Sequence, residues 1–367
     1  MSHIMVVLDG IQDISYDILG GKTPYEAGKG EAFQALEEQS AHGFLDTTPK
    51  GFEPDTQTCT LTLLGVAPDK IPGGRSYVEA LALGLDVGED DIIMRCNFVK
   101  VDEDGNLEVP CCAAPEEVAK ALRAAVAARP GHSVTPVGAY KSLQRIEGEA
   151  LSLETLVTST PHQHQGKNFE SLLPRGNVLA EELAAFSREQ LALHKPYTVL
   201  NWGAAVRAEL PSFGSLHGGM RGGMISKTDA PIGISVAMGM DFLPVETATG
   251  DTDTDLAAKL DATLALAEKD DFVLLHVGGP DEATHRQTPQ EKAEFIARLD
   301  RELIGPLMAR VPAGTRVMVT SDHEALCSTA GHTDKPVAFW LWEKGKTLQG
   351  EYGVRNGGDA VAILTGK

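Results

Sequence analysis

Three apolar runs in this chain each lead into residues of the types that can bind metal ions. Ile4-Met5-Val6-Val7-Leu8 ends in Asp9. The run 271–277 leads through Gly278-Gly279-Pro280 to Asp281 and then to His285. Val317-Met318-Val319-Thr320 leads to Asp322 and His323, and His332 follows shortly after. Carboxylate oxygens and imidazole nitrogens together suit a divalent ion such as Mn or Zn, with Mg as a further candidate. The four-residue spacing of Asp281 and His285 puts both on one helix face. A single Asp after a strand is ordinarily a helix cap. Three such strand ends, with three histidines close behind them, are better explained together, as a centre for about two divalent ions.

A hydroxyl-rich stretch offers a nucleophile. Thr56, Thr58, Thr60 and Thr62 lie between a turn at Gly51–Asp55 and Gly65. A hydroxyl at a helix N-terminus commonly caps the helix. Beside metal ions it can instead be activated as a nucleophile, where helix-end N–H groups also steady a phosphate. Thr58 and Thr60 compete with Thr56 for that role.

These residues need a scaffold that brings strand ends together. Buried strands alternating with amphipathic helices predict an α/β fold with a doubly wound sheet and helices on both faces. Helices are expected at 31–41, stopping at His42-Gly43, and at 229–239, 255–269 and 289–310. From about Asp90 the texture changes. A hairpin at 92–110 turns on Asp104-Gly105, and helices follow at 115–128 and 177–194. The segment 158–168 reads as a surface loop. The expected organisation is a metal-binding domain in two parts, 1–89 and 196–367, interrupted by a smaller α+β cap domain at 90–195. That cap is expected to close over the metals.

Composition narrows the function. With 52 acidic and 32 basic residues the net charge is −20, which argues against nucleic-acid and anionic-membrane binding. The five cysteines show no framework spacing, so disulfides are not expected. No run approaches the ~18 apolar residues of a membrane span, and a cytoplasmic, soluble protein is expected. No organic-cofactor motif stands out, and the partner implied is a small metabolite.

With these residues assembled, the chain resembles the archaeal-type 2,3-bisphosphoglycerate-independent phosphoglycerate mutases of the alkaline phosphatase superfamily. The likeness rests on Asp9-Gly10, on Pro54-Asp55-Thr56-Gln57 running into Leu61-Thr62-Leu63-Leu64-Gly65, on Gly74-Arg75 with Glu79-Ala80, on Arg95-Cys96-Asn97-Phe98, and on the Asp281/His285 and Asp322/His323/His332 sets. It implies an alkaline-phosphatase-like fold and two metals. One would be held by Asp281, His285 and His332. The other would be held by Asp9, Asp322, His323 and the nucleophile hydroxyl, which falls on Thr56 where the family has serine. The family's Gly-Tyr-Arg corresponds to Ala139-Tyr140-Lys141, and its Leu-Arg-Gly to Asn201-Trp202-Gly203.

The activity implied is the glycolytic interconversion of 2- and 3-phosphoglycerate through a phospho-threonine. Arg75, Arg95, Asn97, Lys141, Arg145 and Lys167 are the candidates for gripping the phosphorylated substrate. Two alternatives accompany it. One is a phosphatase or phosphotransferase of the same superfamily acting on another small phosphoester, such as a homoserine-type hydroxy acid. The other is a non-catalytic, metal-stabilised binding protein.

Overall fold

The computed structural model describes residues 2–367 and, apart from Gln163, their side chains. Its strands are β1 (His3–Leu8), β2 (Ala41–Asp46), β3 (Ile92–Val101), β4 (Leu107–Val109), β5 (His132–Pro136), β6 (Lys141–Ile146), β7 (Tyr197–Val206), β8 (Gly222–Ile225), β9 (Asp241–Phe242), β10 (Phe272–Val277), β11 (Arg316–Thr320), β12 (Glu324–Leu326), β13 (Gly331–Thr333), β14 (Val337–Glu343) and β15 (Glu351–Asn356). The chain divides into two units, one built from residues up to Ile71 together with Leu210–Lys367, the other from Pro72–Glu209.

The first unit holds an eight-stranded mixed sheet in the order β15-β2-β14-β11-β1-β10-β8-β9. Strands β11, β1, β10, β8 and β9 run parallel, whereas β14 is antiparallel to both β11 and β2. Strands β1 and β10 are almost entirely buried and apolar, as central parallel strands covered on both faces must be. On one face Ile4, Val6, Val273, Leu275 and Val319 pack with Phe33, Leu260, Phe295 and Ile296, from the helices Glu31–Gln39, Leu256–Ala267 and Pro289–Leu299. On the other face the helix Ala360–Thr365 lies against β1 and β11. Register aligns Leu8 with Val277 and Val7 with Thr320, so the residues that follow these three strands emerge along one edge. That edge is where open α/β sheets place ligands.

Two expectations are corrected in this unit. The helix expected at 31–41 ends at Gln39, and the residues read as its stop signal belong to β2. Ala41, Gly43 and Leu45 are buried and alternate with exposed residues, which is a strand period. Gly43 is needed for close packing rather than for ending a helix. A Cβ there would lie 2.8 Å from the Gly353 carbonyl oxygen and 2.8 Å from the Tyr352 Cβ. The helix expected over 289–310 is broken by a π-helical turn at Asp300–Ile304. That turn has a use. The Asp300 carboxylate accepts from the Gly30 and Phe33 backbone N–H groups at 3.1 and 2.7 Å, and so caps the helix Glu31–Gln39 from outside.

The second unit is wider than the expected 90–195. Strand β7, expected to open the second half of the metal-binding domain, pairs antiparallel with β3 along most of its length. The helix Ser76–Ala82 joins the same unit because Tyr77 and Ala80 pack with Ile93, Leu143 and Ala205. The sheet runs β4-β3-β6-β5, with β7 also on β3. Its helices Glu116–Ala127 and Val178–His194 bury Leu122, Val126 and Phe186 against Cys96, Phe98 and Val199. The segment 158–168, read as a loop, contains a short 3-10 helix at Pro161–His164.

Candidate functional site

In the first unit the ends of β1, β10 and β11 bring together Asp9, Asp281, Asp322, His323 and His332. To these they add His276, which sequence reasoning placed only in a strand. Asp9 directly follows β1, and its backbone N–H is held by the Val277 carbonyl at 3.0 Å. Gly10 then adopts a left-handed φ of 61°, and a Cβ there would lie 2.9 Å from the Asp281 Oδ1. Glycine is therefore required for Asp281 to approach. Asp322 Oδ1 accepts from the backbone N–H groups of Gly10 and His323 at 3.2 and 3.0 Å. Asp281 sits in the helix Gly279–His285, with His285 on the same face.

Two histidines converge on Asp281. His332 Nδ1 donates to the Pro54 carbonyl at 2.8 Å, and His285 Nδ1 donates to the Ala330 carbonyl at 3.2 Å. Both therefore turn Nε2 toward the Asp281 carboxylate, at 3.2 and 3.1 Å respectively. A backbone carbonyl fixing one ring nitrogen is the usual outer support of a metal-ligating histidine. His323 stacks on His332 with centroids 3.9 Å apart. Its Nε2 lies 3.4 Å from Asp9 Oδ1 and 3.5 Å from Asp322 Oδ2.

The donor atoms form two sets, each within 4.8 Å: Asp281, His323 and His332, and Asp9, His276 and Asp322. His276 is an addition to the residues expected here. His285 stands 3.1 Å from Asp281, outside these two sets, and His323 borders both, since it also approaches Asp9 and Asp322. A buried imidazole in the apolar run Phe272–Val277 was the available signal for His276. Its Nε2 lies 3.3 Å from Asp9 Oδ2, and the buried Lys259 donates to its carbonyl at 3.2 Å.

The chemistry of these sets fits divalent ions. Asp9 Oδ1, Asp322 Oδ2, His276 Nε2 and both ring nitrogens of His323 are buried without a hydrogen-bond partner among the described residues. Each such buried group costs about 1–3 kcal/mol unless something satisfies it. Burial, then the neighbouring Asp322 and Asp281 charges, push the Asp9 carboxyl well above the usual range. Burial lowers His276 to about 4 and holds His323 below its ordinary value. Burial also opposes the Asp281 carboxylate, yet hydrogen bonds from His285 and His332 keep its pKa well below normal. His276 and His323 are thus held toward the neutral imidazole, the form that ligates metal, whereas the Asp281 hydrogen bond raises His285 and, against burial, His332.

The four threonines separate by environment. Thr56 is buried at the first position of the helix Thr56–Leu63, two residues after the Pro54 carbonyl that holds His332. Asp55 caps this helix by accepting from the Thr58 N–H at 3.0 Å. The Thr58 hydroxyl also donates to Asp55, at 3.2 Å, and the Thr62 hydroxyl donates to the Thr58 carbonyl at 2.9 Å. Thr60 is fully buried in the helix.

The second unit gathers cations on one buried carboxylate. Arg95 Nε donates to Glu79 Oε2 at 2.8 Å, and Arg95 Nη2 also meets Glu79 Oε1. Arg75 Nε lies 3.2 Å and Lys141 Nζ 3.9 Å from Glu79 Oε1. Burial works against the charge on Glu79, but Arg95 and Arg75 outweigh it and hold the pKa at about 2. Register explains the grouping. Arg95 stands beside Trp202, and Asn97 beside Lys141. Gly74 lets Arg75 approach β7, since a Cβ there would lie 2.1 Å from the Ala204 carbonyl oxygen. The Arg95 guanidinium lies 4.5 Å from the centre of the Trp202 ring, and His162 meets the same ring edge-on at 5.6 Å. Asn97 donates to Cys111 Sγ at 3.0 Å. Two expected members lie apart from this group. Arg145 pairs with Asp91 and Glu147, and Lys167 is exposed on the 158–168 segment.

The profile of the 2,3-bisphosphoglycerate-independent phosphoglycerate mutase family matches residues 38–195, and that of type I phosphodiesterases and nucleotide pyrophosphatases matches 206–363. A 2,3-bisphosphoglycerate-independent phosphoglycerate mutase of Methanothrix thermoacetophila is 26% identical, over 99% of each chain. A probable one of Geobacter sulfurreducens is 29% identical, over 93% of this chain and 90% of that one. Among solved structures, a Pyrococcus horikoshii protein matches with a TM-score of 0.75 at 23% identity, covering 100% of this chain and 96% of that one. The cofactor-independent phosphoglycerate mutase of Thermoplasma acidophilum matches with a TM-score of 0.59 at 21% identity, covering 100% and 99%. The two structural matches establish the shared fold. Among the described residues no helix is long and apolar enough to cross a membrane.

Proposed function

We propose that the chain is a member of the 2,3-bisphosphoglycerate-independent phosphoglycerate mutase family, as its similarities support, and that it interconverts 2- and 3-phosphoglycerate by way of Thr56. The observation that carries the reading is the clustering of three buried carboxylates with His276, His323 and His332, beside the turn that carries Thr56. Divalent ions held there supply charge for the phosphoryl oxygens and favour the ionised form of a hydroxyl nucleophile. The mixed nitrogen and oxygen donors favour Mn or Zn.

Thr56 Oγ forms a bond to phosphorus as the bond to the substrate oxygen breaks, and glycerate is released from phosphorus with a proton on that oxygen. Its other hydroxyl then takes the phosphoryl group back from Thr56. Thr58 and Thr62 serve the helix instead, since their hydroxyls already donate within it. The helix N-terminus at Thr56 favours the anionic phosphoryl group. We read the second unit as the cap that grips the substrate. Arg75, Arg95 and Lys141 are suited to a carboxylate or phosphate, and Glu79 holds them in place. Release of glycerate to water would convert the reaction to hydrolysis, so exclusion of water is part of the cap's role.

The resemblance supports a second reading. It sets Ala139-Tyr140-Lys141 and Asn201-Trp202-Gly203 against the family's Gly-Tyr-Arg and Leu-Arg-Gly, and the loss of two bidentate forks suits a different phosphoester, handled by a phosphatase or phosphotransferase of the same fold. The test is to incubate Mn-loaded protein with 3-phosphoglycerate and follow 2-phosphoglycerate and free phosphate. Mutase product without phosphate supports the first reading, and phosphate alone supports the second. Thr56→Ala is expected to abolish transfer, and the trapped phosphoenzyme to map to Thr56. Unchanged turnover in that variant, or a label on Thr58, overturns the role of Thr56.

A further inference from the structure

Cations also gather at the far end of the main sheet. A cleft of about 370 Å3 is lined by Arg316, Tyr352, Arg355, Asp359, Gly366 and Lys367, among others. Arg316 opens β11, and Asp322 lies just beyond the other end of that strand. Six residues of extended chain, at about 3.3 Å each, put roughly 20 Å between them. The cleft is therefore separate from the metal ligands.

Its three cationic side chains outnumber its one carboxylate side chain. Elsewhere in this acidic chain Arg188, Arg286, Arg298 and Arg310 each pair with a carboxylate. Among the described residues neither Arg316, Arg355 nor Lys367 forms an ion pair, and Asp359 is the only carboxylate side chain lining the cleft. Arg316 is held in place without being neutralised. Its Nη2 donates to the Ile363 carbonyl at 3.2 Å, while its buried Nε has no acceptor. Gly366, with a φ of 74°, lets the helix end close over this group, since a Cβ there would lie 2.4 Å from Nη1. After burial itself, the charges of Arg316 and Lys367 hold nearby His3 below its ordinary pKa.

We propose that this cleft binds a small phosphorylated anion, independently of the metal centre. Two guanidinium groups offer planar, paired N–H donors, the geometry that matches phosphate oxygens, and the lysine adds a point charge. The volume suits a metabolite rather than a polymer. The field of a chain carrying −20 repels anions in general. Unpaired cations gathered at one place overcome that field locally.

Equilibrium dialysis of metal-loaded protein against labelled inorganic phosphate, at physiological salt, tests this. Two classes of bound phosphate are expected. Arg355→Gln lies on an exposed strand and carries no folding risk; it should raise the dissociation constant of one class about tenfold while leaving turnover unchanged. Arg316→Gln, with folding checked by circular dichroism, should remove the same class. A single class in the wild-type protein overturns the proposal. So does a second class that neither substitution alters.

Discussion

Two clusters in this molecule gather charged side chains in opposite proportion. In the first unit Asp9, Asp281 and Asp322 converge with His276 and His323, which burial tends to keep neutral, and with His332. In the second unit Arg75, Arg95 and Lys141 converge on the single carboxylate of Glu79. The carboxyls record the difference. Asp9 is pushed well above its ordinary range, by burial first and then by its acidic neighbours. Glu79 is equally buried, yet Arg95 and Arg75 pull it down to about 2. Burial alone therefore does not set a carboxyl's state; the sign of the nearest charge does. The first cluster gathers three carboxylates, while the second sets three cations around one carboxylate.

The largest effect that could break this contrast is expected from Asp322→Ala. Even outer supports of a metal ligand are worth about 10–100-fold, so loss of a ligand should cut turnover by roughly 10²-fold or more and reduce the bound metal. Elemental analysis and steady-state assays report both. A variant that keeps two ions and full turnover would mean that the first cluster does not depend on metal.

Next comes Glu79→Gln, which strips three cations of their shared partner. Removing one side of a buried pair costs roughly 3–5 kcal/mol, read as a lower urea midpoint, with metal content unchanged. Acid should erase the difference. Glu79 has a lowered pKa in the folded chain, about 2 against 4.5. Its contribution, about 3 kcal/mol, is complete above pH 4.5 and is lost as pH falls toward 2. The stability gap between wild type and Glu79→Gln should therefore close over that window. A gap that stays constant with pH would show that Glu79 acts by packing rather than by charge.

The smallest effect expected is that of Trp202→Leu. It keeps the apolar surface but removes the ring beneath Arg95, a contact worth about 0.5–2 kcal/mol. A few-fold rise in KM with little change in kcat would place the ring in binding. A fall in kcat alone would move Trp202 from anchoring to the reacting geometry.

Much of the first cluster was legible in one dimension. Asp9, Asp281 and Asp322-His323 each follow an apolar run, and a strand announces itself through its own residues, as does the Asp281/His285 helical spacing. The α/β class, the hairpin at 92–110 and the helices near 116–127 and 178–194 follow from the same local periods. What only the tertiary structure decided depends on partners far along the chain. Strand β2 looks like the end of a helix until Gly43 is packed against Gly353 and Tyr352. His276 looks like a core histidine until register sets it beside β1 and Asp9. Strand β7 belongs to the second unit because it pairs with β3, about a hundred residues earlier. Arg95 and Lys141 meet at Glu79 while Arg145, on the same strand as Lys141, goes to Asp91 and Glu147, a choice made by the register of β3 on β6. Periodicity tells a residue which face it occupies, but a charge is assigned its role by what stands opposite, and that is settled only when distant strands align.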